Sequence, residues 1–131
     1  MKIFDSSIRI ATKLNVYADK THRHFAFIYV RNKLLSIGQN DMETTSAKAY
    51  RFGRRFGAEK TITFPFLHAE IDAIAKLWGN THIGPKMSLV SLRLNKKNEL
   101  MISKPCKSCT NILEPLGIRV FYFDGENINE A

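Results

Sequence analysis

The residues able to do chemistry are concentrated in two short segments, His68-Ala69-Glu70 and Pro105-Cys106-Lys107-Ser108-Cys109. Cysteines three apart share one face of a helix, and a helix N-terminus supplies positive potential that draws a thiol toward thiolate. Such a pair is a clamp for a soft metal. A histidine at the start of a neighbouring helix offers a third donor, and a Cys2His set is typical of zinc with one coordination position left open for water. Glu70, two positions after His68, can reach a water held there without being a ligand, and so can move protons during an attack. Zinc lowers the pKa of such a water to about 7, and a carboxylate beside it takes and redelivers the proton.

His-x-Glu alone is a weak signal, because about one chain in four with four histidines carries it by chance at average glutamate use. Pro-Cys-x-x-Cys is much rarer, and here it holds both cysteines of the chain. Two other readings of the cysteines stand beside the catalytic one. A thiol–disulfide motif of the thioredoxin kind usually follows an early strand in a βαβ unit, whereas this one lies late in the sequence. A purely structural zinc needs a fourth protein ligand, for which His22, His24 and His82 are the candidates, and it leaves Glu70 without a role. His22 and His24 flank Arg23 just before a strand and His82 sits in a Gly/Asn/Pro loop. All three are expected to be exposed polar residues.

Periodicity supplies the elements that must position these groups. Phe4, Ile8, Ala11 and Leu14 recur at helical spacing, predicting a helix over 6–16 capped by Asp5 or Ser6. Phe25 to Arg31 and Leu34 to Gly38 read as a β-hairpin turning at Asn32-Lys33. The stretch from Asn40 to Pro65 is a long basic connection, part helical, weakened as a helix by Gly53 and Gly57. Leu67, Ile71, Ile74 and Trp78 make one apolar stripe, so a helix runs over 67–79 and ends near Gly79. Met87 to Leu94 alternates as a strand, and after a charged turn Leu100 to Ile102 is a candidate edge strand. Pro105 opens a helix over 106–115, and Ile118 to Phe123 is a last strand before the Asp124-Gly125 turn. The order αββαβαβ predicts an α/β fold with a mixed sheet covered by helices.

With 131 residues, 44% of them hydrophobic, the chain suits a single domain over 1–131 with a real core. Its longest apolar run, Phe25 to Val30, is far short of the roughly 20 residues a membrane-crossing helix needs. The opening residues turn polar at once, without the apolar stretch of a secretory signal, so no membrane is expected and the expected location is cytoplasmic. Twenty Lys and Arg against twelve Asp and Glu give a net charge of +8, which favours a phosphate-bearing partner. In the 48–60 segment, Lys48, Arg51, Arg54 and Arg55 alternate with Tyr50, Phe52 and Phe56. Either the cations contact nucleic-acid phosphates while the rings stack on bases, or the phenylalanines pack on the core and the charges face solvent.

Taken together, the paired motifs resemble the zinc-dependent cytidine/deoxycytidylate deaminase superfamily, whose signature is H-x-E…P-C-x-x-C. Ile37-Gly38-Gln39-Asn40 also resembles the Gly-x-Asn segment with which these enzymes hold sugar and base, and the likeness spans nearly the whole chain. It implies a three-layer α/β/α sandwich with a mixed four- to five-stranded sheet. It implies one Zn2+ per chain on His68, Cys106 and Cys109, Glu70 as proton shuttle, Asn40 as a substrate contact and the Ala69 backbone N–H near the pyrimidine carbonyl. Lys104 and Lys107 flank the metal motif, where they either meet a substrate phosphate or are simply solvated, and Tyr122 either stacks on the pyrimidine or packs in the sheet. The implied reaction converts cytosine to uracil hydrolytically, most simply in a free cytidine or deoxycytidine nucleotide. The alternatives are deamination of cytosine in single-stranded DNA or RNA and, without catalysis, a zinc-stabilised nucleic-acid-binding module. Adenine in RNA is a weaker option. Only eight residues follow Phe123, whereas many members continue with a further helix and strand, and a homo-oligomer would cover the surface so exposed.

Overall fold

Alternation along one strand sets the architecture. In the computed structural model, which describes residues 1–15, 22–63 and 65–131, strand β1 is His22–Val30. It sends Ala26 and Ile28 into one core and Phe25, Phe27 and Tyr29 into the other. A strand apolar on both faces must lie inside a sheet covered on both sides. On one side lies helix α1 (Lys2–Leu14), whose Ile3, Phe4 and Ala11 join the phenylalanine core. The helix starts four residues before the expected position because the apolar stripe begins at Ile3 and Phe4. Asp5 and Ser6 are therefore inside it and cap nothing, while Ser7 turns inward to the carbonyl of Ile3 and to the Tyr29 hydroxyl. Val16, the expected helix end, lies outside the described residues.

The hairpin forms as expected, β1 pairing antiparallel with β2 (Lys33–Gln39), with a bulge at Ile28/Tyr29 and the turn one residue earlier, at Arg31-Asn32. After β3 (Asp41–Thr45), the long connection resolves into two helices, α2 (Ala47–Phe56) and α3 (Glu59–Thr63). The two glycines that weaken a helix by propensity each have a place here. Gly57 ends α2 in the left-handed conformation at φ 65°, and a Cβ on Gly53 would press on Ile62 and Thr61 of α3 at 3.1 Å. The short β4 (Phe66–Leu67) pairs with β3 and leads into α4 (Ala69–Leu77).

Strand β5 (Met87–Asn95) lies antiparallel to β1 over nine residue pairs. Leu100 and Met101 form β6 against the end of β5, as their apolar character suggested. Helix α5 (Lys107–Leu116) crosses over to β7 (Arg119–Phe123), which runs parallel to β5. The residues after Phe123 supply a fifth strand in the main path, β8 (Ile128–Glu130), antiparallel to β7. Its residues are too few and too polar to show alternation in the sequence. The order is β2-β1-β5-β7-β8 with β6 beside β5. Helices α2 to α5 share the face that carries Ala26, Ile28, Leu89 and Val120, opposite α1. This is the expected three-layer α/β/α arrangement.

One close approach fixes α4. A Cβ on Gly38 of β2 would overlap the carbonyl of Ala69 and the backbone nitrogen of Ala73, so only glycine lets the helix lie this low on the sheet. Ser36 Oγ donates to Ala73 O at 2.8 Å, and Lys76 Nζ to Ile37 O at 2.6 Å. Asp72 accepts the backbone N–H of Gln39 at 3.1 Å. We predict that Gly38→Ala destabilises the protein by about 1–3 kcal/mol through overpacking, measured by denaturant unfolding. A change within about 0.5 kcal/mol would show that α4 can move away at little cost.

Candidate active site

The N-termini of α4 and α5 come together, bringing His68 against Cys106 and Cys109. His68 is the N-cap residue of α4, its extended backbone (φ −81°, ψ 150°) turning the chain from β4 into the helix. Cys106 is the N-cap of α5, its sulfur accepting the Cys109 backbone N–H at 3.4 Å. Its neighbour Pro105 is buried and Cys109 lies in the first turn of α5. His68 Nδ1 stands 3.7 Å from Cys106 Sγ and 3.4 Å from Cys109 Sγ. All three donor atoms lie within 4.8 Å of one another.

These spacings fit zinc. Bonds of about 2.05 Å to nitrogen and about 2.3 Å to sulfur at tetrahedral angles separate N from S by about 3.6 Å. The donor set is that of an open site, two thiolates and one imidazole. Without metal, the Cys106 thiol is held down to about 3, first by a hydrogen bond from the Cys109 side chain, against burial, with His68 adding to the effect. Cys109 moves the other way, raised by the same shared bond, by burial and by the nearby Glu70. The two sulfurs thus share one proton, which a metal ion displaces.

Glu70, in the first turn of α4, is 1% exposed, and both of its carboxylate oxygens lack a hydrogen-bond partner among the described residues. A buried orphan carboxylate is costly, and a folded protein retains one chiefly where chemistry needs it. Beside it is His24, which corrects the expectation of an exposed histidine. Its side chain is 11% exposed, with Nε2 2.7 Å from Ser91 Oγ and 3.6 Å from Glu70 Oε1. Burial lowers the pKa of His24, with Arg93 acting in the same direction and Glu70 against it. The signal was in the sequence: His24 is in phase with Ala26 and Ile28, so it falls on the face that α4 covers. His82 is exposed, as expected, and the side chain of His22 lies outside the described residues.

Asn40 reaches the same corner. Its backbone N–H donates to His24 O at 3.3 Å, and its side-chain oxygen accepts the His24 N–H at 3.0 Å. Ala69, fully buried, is the first residue of α4. Lys104 and Lys107 are exposed on either side of Cys106. Tyr122 is half-buried and alternates onto the Val120 face of β7, the face toward α4 and α5. Lys48, Arg51, Arg54 and Arg55 are all exposed. Phe52 is buried and Phe56 packs against the same core, stacked on each other and edge-on to Trp78. Lys48, Arg51 and Arg55 line a cavity of about 400 Å³ with Trp78, and the Arg55 guanidinium lies 5.1 Å over the indole. This cavity is at the opposite end of α4 from His68, ~14 Å along the helix axis.

Residues 1–124 match the family model for the cytidine and deoxycytidylate deaminase zinc-binding region. The chain belongs to this family. Among solved structures it is similar to a cytidine deaminase from Burkholderia pseudomallei, with a TM-score of 0.55 and 12% identity over 96% of this chain and 90% of that one. At that identity the likeness bears on the fold, and it agrees with the mixed sheet flanked by helices. Comparison with curated proteins finds no match. Membership makes this deaminase a zinc-dependent hydrolase acting on cytosine, with His68, Cys106 and Cys109 placed to form its zinc site. No helix among the described residues is long and apolar enough to cross a membrane.

Cys106→Ser should bring zinc well below one ion per chain and lower the melting temperature, because metal binding also holds α4 to α5. Metal analysis on purified protein decides this, and full zinc occupancy in the variant would remove Cys106 from the ligand set.

Proposed function

We propose that this deaminase converts cytosine to uracil in a free cytidine or deoxycytidine nucleotide, with Glu70 as the proton shuttle. The observation that carries the proposal is the orphaned, buried Glu70 carboxylate two residues from His68. Zinc on His68, Cys106 and Cys109 would act as a Lewis acid and make water nucleophilic at neutral pH. Glu70 accepts a proton from the attacking water and passes it to ring nitrogen N3 as the oxygen bonds to C4. It then carries the second water proton to the exocyclic amine, the C4–N bond breaks, and ammonia leaves. Ala69, at the first position of α4, offers its backbone N–H to the base carbonyl, and the Asn40 amide N–H2 is the end turned to the sugar. Tyr122 flanks the base. Lys104 and Lys107, exposed beside Cys106, meet the phosphate.

A second reading has its own observation. Lys48, Arg51 and Arg55 around the exposed edge of Trp78 make a basic, aromatic surface of the kind that holds single strands. Lying at the far end of α4 from His68, it suits a strand that continues beyond the reacting nucleotide.

Glu70→Ala should keep zinc, lose at least about 100-fold in uracil formation and melt no lower than wild type, since an unpaired buried carboxylate is removed. Uracil release and a melting curve on one preparation test this, and wild-type activity in the variant would sink the mechanism. Lys104→Ala should raise KM for CMP or dCMP about 3- to 10-fold and leave the unphosphorylated nucleoside unaffected. Assays of nucleosides, nucleotides and single-stranded oligonucleotides at two salt concentrations separate the two readings. Activity confined to oligonucleotides and falling steeply with salt would overturn the free-nucleotide proposal.

A further inference from the structure

His24 is the buried polar side chain nearest to Glu70 that the reaction above leaves without a role. Its surroundings fix which ring nitrogen carries the proton. Ser91 has one hydroxyl hydrogen, and it goes to the carbonyl of Ser103 at 2.7 Å. Ser91 Oγ can then only accept from His24 Nε2, 2.7 Å away, so Nε2 is the protonated nitrogen of a neutral ring. The opposite tautomer would aim a nitrogen lone pair at a carboxylate oxygen 3.6 Å away.

The acceptor is itself held rigidly. Ser103 Oγ donates to Ser91 O at 2.7 Å and accepts the Phe123 backbone N–H at 2.9 Å, while the Ser103 N–H donates to Phe123 O at 2.9 Å. Ser103 thereby straps β5 to β7 just ahead of Pro105-Cys106. On the other side, the His24 backbone is clamped by Asn40. The imidazole therefore has little freedom, with Nε2 2.7 Å from Ser91 Oγ and 3.6 Å from Glu70 Oε1.

We propose that His24 is a positioning residue for the reaction, its Nε2–H a three-centre donor, bonded mainly to Ser91 Oγ and directed secondarily at Glu70 Oε1, so that the carboxylate presents one fixed oxygen for proton transfer. The proposal rests on the reading of Glu70 as proton shuttle. At 3.6 Å the contact is longer than a hydrogen bond, as catalytic contacts in a free enzyme often are. Among the described residues neither Glu70 oxygen has a hydrogen-bond partner at full bonding distance; His24 Nε2 stands 3.6 Å from Oε1, and the Cys109 side chain also bears on this carboxylate.

The test compares His24→Phe, which keeps the ring's volume without the N–H, with His24→Gln, which puts an amide N–H near the position of Nε2. Each is assayed as the zinc-loaded full chain for kcat and KM on CMP or dCMP, zinc per chain and melting temperature, with Glu70→Gln as control. His24→Phe should lower kcat about 10- to 100-fold, the scale of one hydrogen bond to a charged group, with KM within about threefold and zinc unchanged. His24→Gln should recover most of that loss. A Phe variant within twofold of wild type, or a Gln variant no faster than Phe, would overturn the proposal. If His24→Phe fails to fold, His24→Asn replaces it, because its shorter amide stops near Nδ1; equal kcat for the Gln and Asn variants would then overturn it. Inactive Glu70→Gln beside a fully active His24→Phe would remove the His24 role alone. Full activity in Glu70→Gln would remove the shuttle reading and this proposal with it.

Discussion

Two positive helix ends face each other across a few ångströms, and everything at the site depends on the negative charge held between them. The N-termini of α4 and α5 would repel if left empty. Cys106 answers this at low pKa as a thiolate capping its own helix, and Cys109 and His68 complete a set of soft donors at the spacing zinc requires. The metal is thus both a cofactor and the cross-link that lets the two helices converge. Glu70 follows from the same geometry. A residue two positions after the His68 ligand is carried into the interior by the first turn of α4, where its carboxylate has no hydrogen-bond partner among the described residues.

The sheet supplies the rigidity. Placing β1 and β7 on either side of β5 brings the α4 and α5 connections to the same end of the sheet. Gly38 lets α4 sit against β2 without a side chain between them, and Ser36, Asp72 and Lys76 tie the helix down along its length. At the other side, Ser91 and Ser103 lock the approach to Cys106 to β5 and β7. The ligands are therefore set by backbone packing on both sides rather than by mobile loops.

The zinc donors, and the place of Glu70 beside them, were legible in the sequence because they rest on short spacings, His-x-Glu and Cys-x-x-Cys, that survive without any knowledge of the fold. The strands around Phe25 and Met87 and the stripe of α4 were legible because burial imposes a period. What escaped was decided by contacts with distant parts of the chain. Helix α1 reaches back to Lys2 because Ile3 and Phe4 find a core in another part of the chain. Strand β8 is held by backbone bonds that its polar side chains do not advertise. Gly53 and Gly57 read as helix breakers, although one permits close helix packing and the other ends a helix. His24 looked like an exposed polar residue because its neighbours in sequence are Arg23 and His22. Its burial comes from Ser91, 67 residues away, and from Glu70.

The central claim is an open Cys2His zinc centre shared by two helix N-termini. Anomalous diffraction at the zinc absorption edge from crystals of the protein tests it most directly. The account predicts one zinc peak per chain bonded to His68 Nδ1 and to the sulfurs of Cys106 and Cys109, with a non-protein oxygen in the fourth position. A fourth ligand from the protein, or full-strength zinc bound elsewhere with these three side chains free, would contradict it.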